Sequence, residues 1–417
     1  MNRSKLMLAR ATRRAFVLLA ASAVLAACTD DATGVEAPRE ITLGGIFSLT
    51  GNWSSLGVAS KAAMELAVED VNAFAAGRHI TFRADVRDTR LEPARALSEI
   101  ESLRANQVRL VIGPQSSAEL AAIKPFVDGN GMVVVSQSST AGSLAVADRI
   151  FRLTPADSLE GVAIAGLMYA DGIRAVVPAW RADAGNQGLE AGTRRAFIAR
   201  GGTVSTGTEY SASASSYAAT VTAIGAQVRA ALATRPAAQV AVQLSAFDEA
   251  ADILALAAAD PVLASVRWYG ADGVTQSTVI LGRSAAAAFA QTAGFPAPTV
   301  GADPAARSKW EPLAARIQAR AGGAAPDAFA FGVYDAVWIA AQAYLASPAD
   351  VDADSLAARF QVAAGTHYGA TGWTVLNAAG DRREGIFDFW AIRASGTARS
   401  WQQVASYDTR LGTLTRR

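Results

Sequence analysis

From residue 40 onward the chain alternates short runs of β-branched and aromatic residues with longer segments whose apolar residues recur at three- and four-residue steps. This alternation limits the fold more than any other feature, because it is met by parallel strands linked through helices that cover both faces of the sheet. ITLGGIFSL, HITFRADVRD, VRLVIG and MVVVS read as strands, separated by helical segments at residues 59–74, 93–105 and 118–128. The beat starts again after Arg152: RAVVPA, TVSTGTEY, AQVAVQL and VRWYG are strands, with helices at residues 158–171, 188–199, 221–232 and 248–259. Two sets of β-α units predict an α/β protein of two doubly wound lobes. The length of 417 residues fits two lobes, since one core rarely grows beyond about 300 residues. Residues 304–346, mostly helical, and the strands TGWTVL and GIFDFWAIR are left to complete the lobes. The chain then crosses between lobes several times, and such crossings act as a hinge.

The first 27 residues read as an export signal: Arg3, Lys5, Arg10, Arg13 and Arg14 precede FVLLAASAVLAA, which is too short for a membrane span. The signal ends in Leu25-Ala26-Ala27-Cys28, which resembles the lipobox of bacterial lipoproteins, so Cys28 is expected to be lipidated and to anchor the chain to a membrane. The run TRRAFVL also looks like a twin-arginine signal. Residues 28–39, polar and without periodicity, read as a tether. Without the signal, 33 of the 38 basic residues remain against 37 acidic ones. That balance offers no basic surplus to hold nucleic acid by its phosphates. Cys28 is the only cysteine, which removes a disulfide framework and a cysteine metal cluster from consideration.

Catalytic signatures are scarce. Only His79 and His367 could supply imidazole, and both read as surface or turn residues. No G-x-S-x-G elbow, H-E-x-x-H, phosphate-binding loop or G-x-G-x-x-G occurs. Lys61, Lys124 and Lys309 are the only lysines after the signal, and none has S-x-x-K spacing. No catalytic residue, metal site or cofactor is expected.

Small polar residues instead cluster in loops at the carboxyl ends of the expected strands: LTGNWSS after the first, GPQSS after the third, and SQSST after the fourth. Ligands of open α/β sheets bind at that edge. Hydroxyls and free N–H groups at helix starts suit a carboxylate, although serines there also serve simply as helix caps. In the second half, WYGADG places Asp272 on a turn directly after a strand, where it can meet a cation or merely shape an Asp-Gly turn.

These blocks together resemble the type I periplasmic binding proteins of the branched-chain amino-acid (leucine/isoleucine/valine) family, the solute receptors of ABC importers. The resemblance runs from Ile41 to about Arg393 and rests on ITLGGIFSLTGNWSSLGVASKAAMELAVEDVN, VIGPQSSAE, VVVSQSSTAG, FRLTPADS, WYGADG and FGVYDAVWIAA in this order. It implies two lobes joined by three crossing strands, residues 40–154 with 293–385 and residues 155–292 with 386–417, closing over one small solute that is passed to a membrane permease. It implies also that Ser117 and Thr140 hold a carboxylate, while the Ser138 carbonyl and Asp272 hold an ammonium. Opposed grips of this kind suit a zwitterion, each bond being charge-assisted.

Where the family places aromatic residues over the solute, this sequence has Ala184-Gly185 and Ala246. Either a wider cavity results or Trp180, Arg181 or Phe247 fills the space, with Trp53 as a further wall. Arg181 and Asp183 would favour a solute with a charged or polar side group. Tyr334 and Asp335 match family positions near the cleft rim, and a core role suits them equally. Two alternatives stand beside the transport receptor: a sensor of the same fold for amides or aromatic acids, and a serine hydrolase built on SQSST.

Overall fold

The computed structural model describes residues 38–417 apart from residues 324 and 397. The stretch expected to be an export signal, Cys28 and the expected tether up to residue 37 lie outside the described residues. Arg39, assigned above to the tether, opens the first strand.

The first five strands, β1 (Arg39–Phe47), β2 (Ile80–Asp88), β3 (Leu110–Ile112), β4 (Val133–Ser136) and β5 (Ile150–Arg152), form one parallel sheet in the order β2-β1-β3-β4-β5. Helices α1 (Ser54–Phe74), α2 (Pro93–Ala105) and α3 (Ser117–Gly129) connect them. Side chains alternate across the sheet as strand geometry demands. Ile46, Val111 and Val134 pack with Ile100 and Leu120 of α2 and α3, whereas Phe47, Ile112 and Val135 join α1 in the larger core.

The second sheet is also parallel, in the order β10-β9-β6-β7, with β8 paired to β6 further along. Its strands are β6 (Ala175–Arg181), β7 (Thr203–Val204), β8 (Thr208–Tyr210), β9 (Val240–Ser245) and β10 (Arg267–Tyr269). Helices α4 (Asp157–Ala170), α5 (Ala184–Ala199), α6 (Ala218–Leu232), α7 (Ala250–Ala257) and α8 (Ser284–Ala293) flank it. Strand order reverses beside β1 in the first sheet and beside β6 in the second. Each sheet therefore has a switch point where neighbouring loops diverge and leave a crevice.

Two later helices, α9 (Arg307–Arg320) and α10 (Ala328–Leu345), return to the first sheet, where α10 packs against α1. They are followed by α11 (Ala353–Thr366) and the two-residue strands β12 (Tyr368–Gly369) and β13 (Gly372–Trp373). A third sheet, antiparallel, runs β11-β14-β15-β16. It comprises β11 (Ala297–Val300), β14 (Ile386–Ser395), β15 (Ala398–Asp408) and β16 (Thr413–Arg416), with a register shift between Phe389 and Trp390. The chain passes between the two halves of the molecule at residues 153–156, in β11 and at the start of β14.

Three expectations need correcting. TVSTGTEY is two short strands, because the Gln227 side chain takes over the bonds a ladder would make: its Oε1 accepts from Ser205 Oγ at 2.6 Å and Gly207 N at 2.8 Å, and its Nε2 donates to Gly207 O at 2.9 Å. TGWTVL is strand only at Gly372–Trp373, since the Thr374 hydroxyl turns back to Ala364 O at 2.8 Å. The long pairing of β14 with β15 escaped the sequence reading, as did the three-residue β5.

Candidate functional site: a cavity between two switch points

The loop after β1 is shaped by close approach to its neighbours. A Cβ on Gly57 would lie 1.8 Å from Ser48 O, so only glycine lets α1 start this close to the strand end. Gln115 ties the loops together, accepting the Ser48 N–H at 2.7 Å and donating to Trp53 O at 3.3 Å. Trp53, in the left-handed region at φ 56, sends its N–H across to Asp248 Oδ2 at 2.8 Å, just beyond β9 of the other sheet. Its ring lies 4.7 Å from Phe247 and meets the edge of Phe329 at 6.1 Å. The two halves are thus in direct contact over the site.

The four hydroxyls that follow β4 divide their work. Ser136 Oγ donates to Pro114 O at 2.7 Å and accepts from Ser139 N, while Ser138 Oγ donates to Gln115 O at 2.9 Å. These bonds fix the turn against the β3 loop. On the facing loop Ser116 caps α3 in a reciprocal capping box with Glu119. Ser117 Oγ accepts from Thr140 N at 3.1 Å, Ala141 N at 3.0 Å and Ser139 Oγ at 3.0 Å. Three donors converging on one point at a helix start create a place of positive potential. Arg152 holds the turn from behind, donating to Ala141 O at 2.6 Å and pairing with Asp381 at 2.5 and 2.7 Å, all within the interior.

Facing these donors is a concentration of acid. Asp157 and Glu160, in the first turn of α4, are buried, and the Asp272 N–H donates to Glu160 Oε1 at 3.2 Å. Among the described residues, Asp157 Oδ2 and Glu160 Oε2 have no hydrogen-bond partner. Burial raises Asp157 and Glu160 well above the ordinary carboxylate range, and the Asp272 charge adds to both shifts. Burial likewise pushes Asp272 up to about 7, with the Asp183 and Asp327 charges contributing. At neutral pH the cluster therefore holds protons.

Trp53, Ser117, Ser138, Thr140, Phe247 and Asp272 all line one cavity of about 20 Å³. Arg181 does not reach it. The guanidinium stands behind Phe247, 4.9 Å from the ring centroid, and pairs with Asp183 at 2.8 Å and Glu249 at 3.5 Å. Of the two outcomes expected for the small residues at 184, 185 and 246, the described residues show the second: Phe247, packed on Trp53, takes up the space. Tyr334 and Asp335 serve the core: the Tyr334 hydroxyl donates to Asp70 at 2.7 Å, and Asp335 accepts from Ala370 N, Thr371 N and Thr371 Oγ1. Asp157, Asn186 and Leu189 line the cavity and Glu160 backs it, yet none was singled out from sequence. The signal for Asp157 was present in FRLTPADS, an acid opening a helix just after a strand.

Two doubly wound halves joined by three crossings define the type I periplasmic-binding-protein fold, with a cavity between the facing switch points. The chain belongs to the family described as the receptor family ligand binding region, whose model matches residues 59–394. An uncharacterized protein of Methanocaldococcus jannaschii is 25% identical over 425 aligned positions, covering 95% of this chain and 98% of that one. Among solved structures, the branched-chain amino-acid transporter substrate-binding protein LivJ of Streptococcus pneumoniae, in complex with isoleucine, superposes with a TM-score of 0.69. It shares 19% identity over 87% of this chain and 99% of that one. An ABC transporter solute-binding protein of R. palustris, in complex with benzoate, superposes with a TM-score of 0.69 at 17% identity, covering 87% and 96%.

Proposed function

We propose that this protein is the extracytoplasmic solute receptor of an ABC importer, anchored through a lipid on Cys28, and that it closes over a small solute carrying both a carboxylate and an amine. Its lobes are residues 40–154 with 293–385 and residues 155–292 with 386–417. The carrying observation is the pairing, across one cavity, of the donor group at Ser117 with the acids Asp157, Glu160 and Asp272. A carboxylate beside Ser117 takes over the N–H groups of Thr140 and Ala141 and receives the Ser117 hydroxyl proton. An ammonium on the other side replaces protons held by the acids, and a charge-assisted bond to a carboxylate is stronger than a neutral one. The aromatic walls Trp53 and Phe247 would also suit an aromatic acid, the ligand class of the benzoate-bound structural neighbour. Such a solute brings no cation to three buried carboxylates, so the amine reading is preferred. A hydrolase reading gains nothing from the serines, whose described partners are backbone groups, another hydroxyl and Glu119.

The test is a thermal-shift screen of the mature chain against amino acids, diamines, amides and aromatic acids. A true ligand at 100 times its Kd stabilises by about 2.7 kcal/mol. Stabilisation by solutes lacking an amine, with none by amino acids, would reject the zwitterion and favour a sensor of amides or aromatic acids.

A further inference from the structure

We propose that the hinge carries a second binding site, a cavity for a small organic cation with an aromatic or apolar body. The cavity, about 590 Å³, shares no lining residue with the one at the switch points and lies in the size range of small-molecule sites. It is lined by α1 on one side, the segment after β10 on the other, and β11, β14 and β15 between them.

Its chemistry is specific. Trp310 and Trp401 spend their indole N–H groups on the carbonyls of Asp303 and Ser277, each at 3.1 Å, and because the Arg307 guanidinium already lies over the Trp310 ring, 5.9 Å from its centroid, Trp401 is the one of the two left to offer a ring face to a new cation. Phe331 lies 6.4 Å from Trp310 with the planes 30° apart, and Trp390 supplies a third indole. Among these rings stand two carboxylates, Asp327 and Asp388. Asp388 accepts from Ser406 Oγ at 2.7 Å and lies against the Gly301 backbone, where a Cβ would come within 2.6 Å of its Oδ2. Thr299 Oγ1, also in the lining, is buried without a hydrogen-bond partner among the described residues. Arg307 and Arg417 stand on the lining too: Arg307 is paired with Glu311 at 2.9 Å and the Arg417 charge acts on Asp388, which leaves two carboxylates against one guanidinium. Indole faces beside an under-neutralised carboxylate attract an organic ammonium through cation–π and charge-assisted contacts together. An anion of the same shape meets repulsion, and a neutral alcohol offers Asp388 only an uncharged hydrogen bond, which is weaker than a charge-assisted one.

The experiment is a calorimetric titration of the mature chain with 2-phenylethylamine, 2-phenylethanol and phenylacetate. The amine is expected to bind at least tenfold more tightly than either analogue. Asp388→Asn should cost at least tenfold in amine affinity. Equal binding of the three probes, no saturable binding of the amine, or wild-type amine affinity in a folded Asp388→Asn would overturn the proposal. Ala314→Phe, which fills the cavity from α9 without touching Asp388, is the second variant should Asp388→Asn lose its native circular dichroism. It should abolish amine binding, and wild-type affinity in it would count against the site.

Discussion

At the scale of single residues the acid cluster makes the clearest demands. Asp272 rises from 3.8 to about 7 on folding, so the folded state binds its proton more tightly than the unfolded chain does. The resulting stability is fully present below about pH 4 and is lost as the pH climbs toward 7, and Asp157 and Glu160 act with the same sign. Asp272→Asn removes one such burden. We expect its Tm to exceed that of the wild type by several degrees at pH 8, with the gap closing at pH 4.5, and calorimetric melts at both values would check this. A gap independent of pH would mean that the carboxylate is not buried in solution. The same protons compete with a bound ammonium, so affinity for an amine-bearing solute should rise from pH 5 to pH 8 with net proton release. Titration in buffers of different ionisation heat reads that release. Arg152 makes the opposite case, a buried ion pair that also holds the turn at Ala141. Arg152→Met leaves Asp381 uncompensated, and breaking such a pair costs about 3–5 kcal/mol, visible as a drop in urea midpoint.

Elements show why the sequence told so much about the fold and less about the site. The parallel strands were legible because both faces of each sheet are covered, which leaves near-continuous apolar runs such as VVVS and VAVQL. The antiparallel β15 is mostly half-exposed and reads WQQVAS, with no run to betray it; only its partner β14 gives it a place. Site residues on strand-end loops could be found by their position at the switch points, and Ser117, Thr140 and Asp272 do converge on one cavity. Arg181 could not be placed that way, because whether a long side chain reaches the ligand or a neighbouring acid depends on Asp183 and Glu249, which lie nearby only in three dimensions. Glu160 was hidden for a related reason: one turn into a helix, it looks like an ordinary acid in the favourable first turn. The element-level prediction concerns the start of α1. Gly57→Ala places a methyl carbon 1.8 Å from Ser48 O, so the helix must retreat from the loop that positions Trp53. Such a variant should keep its secondary structure by circular dichroism while losing at least 2 kcal/mol of stability, within the range for forced overpacking.

Over the whole molecule, the question is what holds the two halves shut. Contacts across the gap include the Trp53 N–H bond to Asp248 and the packing of Trp53 on Phe247. Asp248 is well set for this role because Ser277 Oγ already orients its other oxygen at 2.6 Å, so the carboxylate need not reorganise when the halves meet. A hydrogen bond to a charged group contributes about 1.5–3 kcal/mol, and this one exists only when the molecule is closed. Removing it should leave each half intact and shift the balance toward the open form. Apparent affinity scales with the fraction of molecules competent to bind, so a solute that needs closure should bind Asp248→Ala about 10- to 100-fold more weakly. Small-angle scattering separates this from damage to the site: the unliganded variant should have a larger radius of gyration than the unliganded wild type, and saturating solute should bring both to the same value. If the variant binds weakly but scatters as the wild type does without solute, Asp248 acts on the ligand itself and closure rests on the aromatic contact.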